Sequence, residues 1–148
     1  MAILLETAKA FFTQERWAFD AAKDAAVLRL GFEGKAGRWR CFLEAKEPVA
    51  QLVFFSVRDG AVPDGRRAAV AELLMRLNCR LNVGNFELNF DDGLVRFRTG
   101  LDVEGVAPVA PLLRGLTLLN VATMDKYLPA IEQVVRGEHP VKALAAAD

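Results

Sequence analysis

A chain of 148 residues, 53% of them hydrophobic, has the length of one ordinary domain and ample material for a core, which excludes a disordered protein. Nineteen basic and nineteen acidic residues cancel to zero net charge, so no net field concentrates nucleic acid or an anionic membrane surface. Cys41 and Cys79 lie too far apart in sequence to suggest a disulfide framework or a zinc-ligand pair, which fits a reducing, cytoplasmic compartment.

The opening MAILLETAKAFF reaches a charge at Glu6, a pattern that predicts no secretory leader. Leu4, Leu5, Ala8, Phe11 and Phe12 recur at helical spacing and predict an amphipathic helix over residues 2–17. A polar link from Asp20 to Asp24 follows. In VLRLGF, Leu28, Leu30 and Phe32 alternate with Val27, Arg29 and Gly31, the period of a strand. RWRCFLE repeats that rhythm, with Trp39, Cys41 and Leu43 opposite Arg40, Phe42 and Glu44, and the glycines of EGKAG make the two runs a hairpin.

After the turn at Glu47-Pro48, QLVFFSV is apolar on both faces: Leu52 and Phe54 on one, Val53, Phe55 and Val57 on the other. Such a strand is covered on both sides. Helices of the same chain supply one cover, and the second is expected from another element, a partner peptide or a second subunit. RDGAVPDG is a loop whose Asp64 suits an N-cap, and Val70, Leu73, Leu74, Leu77 and Leu81 mark a helix from about Gly65 to Asn82, ended by Gly84.

In NFELNFDDGLVRFRT, Asp92-Gly93 fits a two-residue type I′ turn. That register pairs Phe90 with Val95, Leu88 with Phe97 and Phe86 with Thr99 on the inner face. It sets Glu87 across from Arg98 and Asn89 across from Arg96 on the outer one. A loop with Gly100, Gly105, Pro108 and Pro111 leads to a long apolar stripe from Leu112 to Val135, where Pro129 kinks the helix or begins a new one and Gly137 and Pro140 end it. No uncharged apolar stretch approaches the roughly 20 residues that span a bilayer. Residues 1–148 read as one α+β domain in the order α-β-β-β-α-β-β-α.

Four segments carry a resemblance: ERWAFD, LGFEGKAGRWRC, MDKYLPAIEQVVRG and, most specifically, VPDGRRAAVAELLMRLNCRLNVGNFELNFDDGLVRFRT. Together they resemble the YbjN-domain family, bacterial proteins labelled "putative sensory transduction regulators", whose fold is similar to that of class I type III secretion chaperones. The resemblance implies an antiparallel sheet with helices packed on one face. It implies homodimers that hold an extended stretch of a partner polypeptide on apolar patches, and no known catalysis. The neutral charge of this chain departs from the acidic balance common among such chaperones.

Candidate catalytic groups are few. The lone His139 sits at the exit of the last helix, where a cation interacts favourably with the helix C-terminus. Cys41 falls among inward residues as a small core hydrophobe, and Cys79 near a helix C-terminus faces a dipole that opposes a thiolate. Asp91-Asp92 read as turn residues rather than calcium ligands, and Arg66-Arg67 offer a weak anion site at a helix start. Asn78 and Asn82 read as partners of backbone groups at a helix end.

The polar face of Glu87, Asn89, Arg96 and Arg98, next to the outward Val53, Phe55 and Val57, is the best constellation and the expected partner or dimer surface. The expected function is a non-enzymatic protein-interaction module, chaperone-like or regulatory, binding a partner polypeptide as a homodimer, with no cofactor, metal, nucleic acid or membrane. The alternative is a small-ligand sensor using Arg96, Arg98 and Glu87.

Overall fold

The computed structural model describes residues 2–147. Helix α1, Ile3–Gln14, buries Leu4, Ala8, Phe11 and Phe12, one stripe at helical spacing. It stops where Arg16 turns to φ 57° and the Trp17 N–H returns to the Phe12 carbonyl. Six strands form one sheet: β1 Phe19–Ala21, β2 Val27–Glu33, β3 Arg38–Lys46, β4 Gln51–Val57, β5 Asn85–Leu88 and β6 Val95–Asp102. Their spatial order is β1-β2-β3-β4-β6-β5, antiparallel throughout. Helices α1, α2 (Arg67–Asn78), α3 (Ala110–Val135) and α4 (Pro140–Ala146) cover one face.

The alternation of β2, β3 and β4 dictates which residues meet the helices. Leu28, Leu30, Trp39, Cys41, Leu43, Leu52 and Phe54 all enter the core that α1 and α3 close. The expected element order holds for eight elements, and two short ones join it. The link at Asp20 is the edge strand β1, too brief for any periodicity to register, and the alanine-rich tail forms α4 by burying Pro140, Ala143 and Leu144.

Three further details differ from expectation. Helix α2 ends at Asn78 rather than Asn82, with Arg80 and Leu81 closing tighter turns on Leu77 and Asn78. Asp64 makes no cap; it pairs with Arg67 at 2.9 Å, and a 3-10 turn at Asp64–Arg66 opens the helix. Helix α3 neither breaks nor restarts at Pro129 but runs unbroken to Val135.

The β5–β6 hairpin is offset by two residues from the expected register. Phe86 pairs with Phe97, Glu87 with Arg96 and Leu88 with Val95. The Asn89 N–H donates to the Leu94 carbonyl at 3.0 Å and closes a wider loop, inside which Asn89 Oδ1 accepts from Asp91 N–H and Asp92 Oδ1 from Leu94 N–H. Side chain-to-backbone bonds of Asn and Asp thus outweigh the two-residue turn, and Phe90, expected inward, is 58% exposed. A slip of two leaves every strand side chain on its own face, so the hydrophobic pattern does not distinguish the registers.

Under the sheet lies a polar cluster that the sequence reading passed over. Asn120 on α3 is fully buried. Its Oδ1 accepts from Ser56 Oγ at 2.6 Å, and Ser56 in turn accepts from Trp39 Nε1 at 2.9 Å. Its Nδ2 donates to the Phe54 and Phe97 carbonyls and to Thr99 Oγ1 at 3.0 to 3.1 Å. Thr99 Oγ1 donates to the Leu116 carbonyl at 2.6 Å. One amide thereby ties α3 to β3, β4 and β6. A second tie, from buried Arg58 at the end of β4, grips Glu132 of α3 with two N–H groups at 2.5 and 3.1 Å.

Candidate functional site

The sheet face turned away from the helices is the candidate site, and the register fixes its layout. Phe42, Phe55 and Arg98 lie side by side across β3, β4 and β6, and Arg40, Val57, Arg96 and Glu87 form the next row. Glu87 bridges both arginines, at 2.5 Å to Arg96 Nε and 3.0 Å to Arg98 Nη2. The two guanidinium carbons lie 4.3 and 5.2 Å from the Phe55 ring centroid, in cation–π range. An open groove of about 500 Å³ runs beside them, floored by Phe42, Phe55, Val57 and Leu88 and ending at Asp92.

This arrangement corrects one expectation. The row Val53, Phe55, Val57 is already buried within the single chain, Phe55 to 5% exposure, because Phe42 and the arginine stems lie over it. Glu87, Arg96 and Arg98 are brought together as expected, with the partners exchanged by the slip. Asn89 does not face Arg96 across the ladder; it pairs with Leu94 and its side chain holds the hairpin loop. Each half-exposed ion pair contributes only about 0.2–1 kcal/mol, so the face is not there chiefly for stability.

Side chains occupy part of each side of the sheet. On β5 the Phe86 N–H donates to Asn78 Oδ1 at 2.7 Å and Asn78 Nδ2 donates back to the Phe86 carbonyl at 3.1 Å. Asn78 therefore serves the strand edge rather than its own helix end. On the other side β1 covers β2 as far as Leu30, and just beyond it Trp17 Nε1 donates to the Gly31 carbonyl at 2.9 Å. An added strand would have to displace these bonds.

The remaining candidates have structural roles. Arg66 donates to the Val134 and Glu138 carbonyls at the end of α3, and Arg67 to the Val62 and Phe90 carbonyls, so their donors serve the fold rather than an anion. His139 belongs to the start of α4 rather than to the end of α3. It caps the start of α4, its Nδ1 accepting from Val141 N–H at 3.1 Å. Asp91 and Asp92 are exposed turn residues.

Cys41 lies in the core, 3.7 Å from Ser56 Oγ, and burial pushes its thiol up to about 12, with hydrogen bonds from Ser56 and Trp39 opposing only weakly. A thiol-disulfide reagent at pH 8 is therefore expected to modify one thiol of the native protein, exposed Cys79, and both in denaturant. The neutral Cys41 thiol stabilises the fold fully below pH 9, and that contribution is lost as pH rises toward 12, where the unfolded chain ionises first. Two reactive thiols in the native state would contradict the buried placement.

Asn120 and Ser56 are the residues that sequence reasoning missed. The available signal was a lone asparagine between Leu116 and Met124 on the buried stripe of α3, and a serine on the inward side of β4.

Fold and face together define a two-layer α+β protein whose sheet is covered by helices on one side and open on the other. A family model for YbjN, described as "Putative bacterial sensory transduction regulator", matches residues 5–118, and the chain belongs to this family. A search of curated proteins finds no match. Among solved structures, the chain is similar to the crystal structure of YbjN, "a putative transcription regulator from E. coli", at 11% identity and a TM-score of 0.58, over 96% of this chain and 89% of that one. At that identity the likeness establishes the fold. Among the described residues no helix is long and apolar enough to cross a membrane.

Proposed function

We propose that this protein is a non-enzymatic regulatory module of the cytoplasm that binds a partner polypeptide and forms a homodimer. The observation that carries the reading is the open sheet face, where Phe55 lies beneath Arg96 and Arg98 and, with Phe42 and Val57, lines a groove. Interfaces favour such combinations of aromatic residues and arginine, whose stems and planes pack on apolar groups. The side-chain bonds at Phe86 and Gly31 favour docking across the face over strand addition at those points. The family's description as regulators accords with a binding role.

Size-exclusion chromatography with light scattering tests the dimer. A mass of twice 16.3 kDa is expected, and a strict monomer at high micromolar concentration would overturn it. Phe42→Ala, at a partly exposed position, is expected to weaken self-association or partner capture while leaving the circular dichroism spectrum unchanged.

A further inference from the structure

The open face holds a charge imbalance that its own residues leave unresolved. One carboxylate, Glu87, is shared by two guanidinium groups, Arg96 and Arg98. Arg98 Nε is buried, and among the described residues it is the one buried side-chain nitrogen or oxygen without a hydrogen-bond partner. Across the groove Arg40 is exposed, stands 6.0 Å from the Phe42 ring centroid, and has no carboxylate partner among the described residues.

Most neighbouring charges are matched, and Asp59, exposed near Arg40, forms no ion pair with it. Glu44 pairs with Lys46, Asp20 with Arg29 and Glu33 with Arg38, none farther than 3.3 Å. Asp92, at the hairpin end of the groove, is solvated and accepts from its own turn. The unmatched demand at the centre is therefore for an acceptor, beside the apolar row Phe42, Phe55, Val57. Guanidinium groups pair best with carboxylates.

We propose that the partner segment for this face is an extended polypeptide stretch with an acidic side chain between large apolar ones. Its carboxylate meets Arg40 and the Arg96–Arg98 pair while the apolar side chains rest on the partly exposed Phe42 and Leu88. In an extended chain, residues i and i+2 point the same way about 6.6 Å apart, a spacing suited to straddling adjacent rows of a sheet face. This inference rests on the interaction role of the same face and adds the partner's chemistry.

Fluorescence anisotropy of the full chain with labelled synthetic peptides tests it. One peptide carries phenylalanine, glutamate and valine at every second position with serine between them, so that all three point to one side; its two counterparts carry glutamine or lysine in place of the glutamate. The glutamate peptide is expected to bind about tenfold more tightly than the glutamine one, with the advantage shrinking in high salt. In Arg40→Gln, an exposed and unpaired position whose loss leaves the fold intact, the preference is expected to fall to about twofold or less.

Equal binding of the glutamate and glutamine peptides would overturn the acidic partner while leaving the face as a docking site. A preference that persists in both Arg40→Gln and Arg98→Gln would overturn its placement here. If no peptide binds and light scattering shows a dimer that Arg40→Glu dissociates, a second copy occupies the face and the inference falls. If no peptide binds to a strict monomer, both the inference and the interaction reading fall.

Discussion

Replacing Asn120 with leucine is expected to lower the unfolding free energy by about 3–5 kcal/mol, a fall in melting temperature on the order of 10 °C. Leucine is close to asparagine in size, so the loss reports mainly on polar groups left without partners. The substitution strands the Ser56 hydroxyl, the Phe54 and Phe97 carbonyls and part of Thr99 in a site with no access to water. Urea denaturation with an unchanged slope would place the effect in the native state. A loss below about 1 kcal/mol would show that the network is worth little net. In a Ser56→Ala, Asn120→Leu double variant the two losses are expected to add to less than their sum, because Ser56 donates to Asn120.

Gly84→Ala is expected to destabilise by about 2–4 kcal/mol, through two separable causes. The φ of +81° disfavours any side chain, and a Cβ there would stand 2.6 Å from the Phe97 ring and 2.8 Å from the Arg98 carbonyl. Gly60 isolates the first cause. Its φ is +83° and nothing lies within 4 Å of its Cβ position, so Gly60→Ala is expected to lose only about 1 kcal/mol. Denaturant titration of both variants measures the difference, and equal losses would show that the close approach to Phe97 relaxes freely. The glycine at 84 is thus required by how tightly the chain entering β5 lies against β6.

These positions also show what a sequence exposes and what it conceals. Alternation in β2 and β3 is long and sharp, so the core side of those strands was readable from residue type. The hairpin register was not, because two registers differing by two residues bury the same faces and only the bonds of Asn89 and Asp92 decide between them. Brief elements such as β1 lack the length for any period to register. Asn120 drew no notice in the sequence, since its partners come from β4 and β6, segments distant along the chain. At the candidate face the sequence supplied Glu87, Arg96 and Arg98 but not the cover they give Phe55, which depends on arginine stems lying flat across a neighbouring strand.

The side chains that occupy part of each side of the sheet bear on how this protein behaves when crowded. A bare strand edge propagates, since each strand that joins presents another edge and growth runs on toward fibres. A face is consumed when it is covered. With Asn78 holding Phe86 and Trp17 holding Gly31, two of the places where a strand would join are already taken, which favours association through the face over growth along an edge.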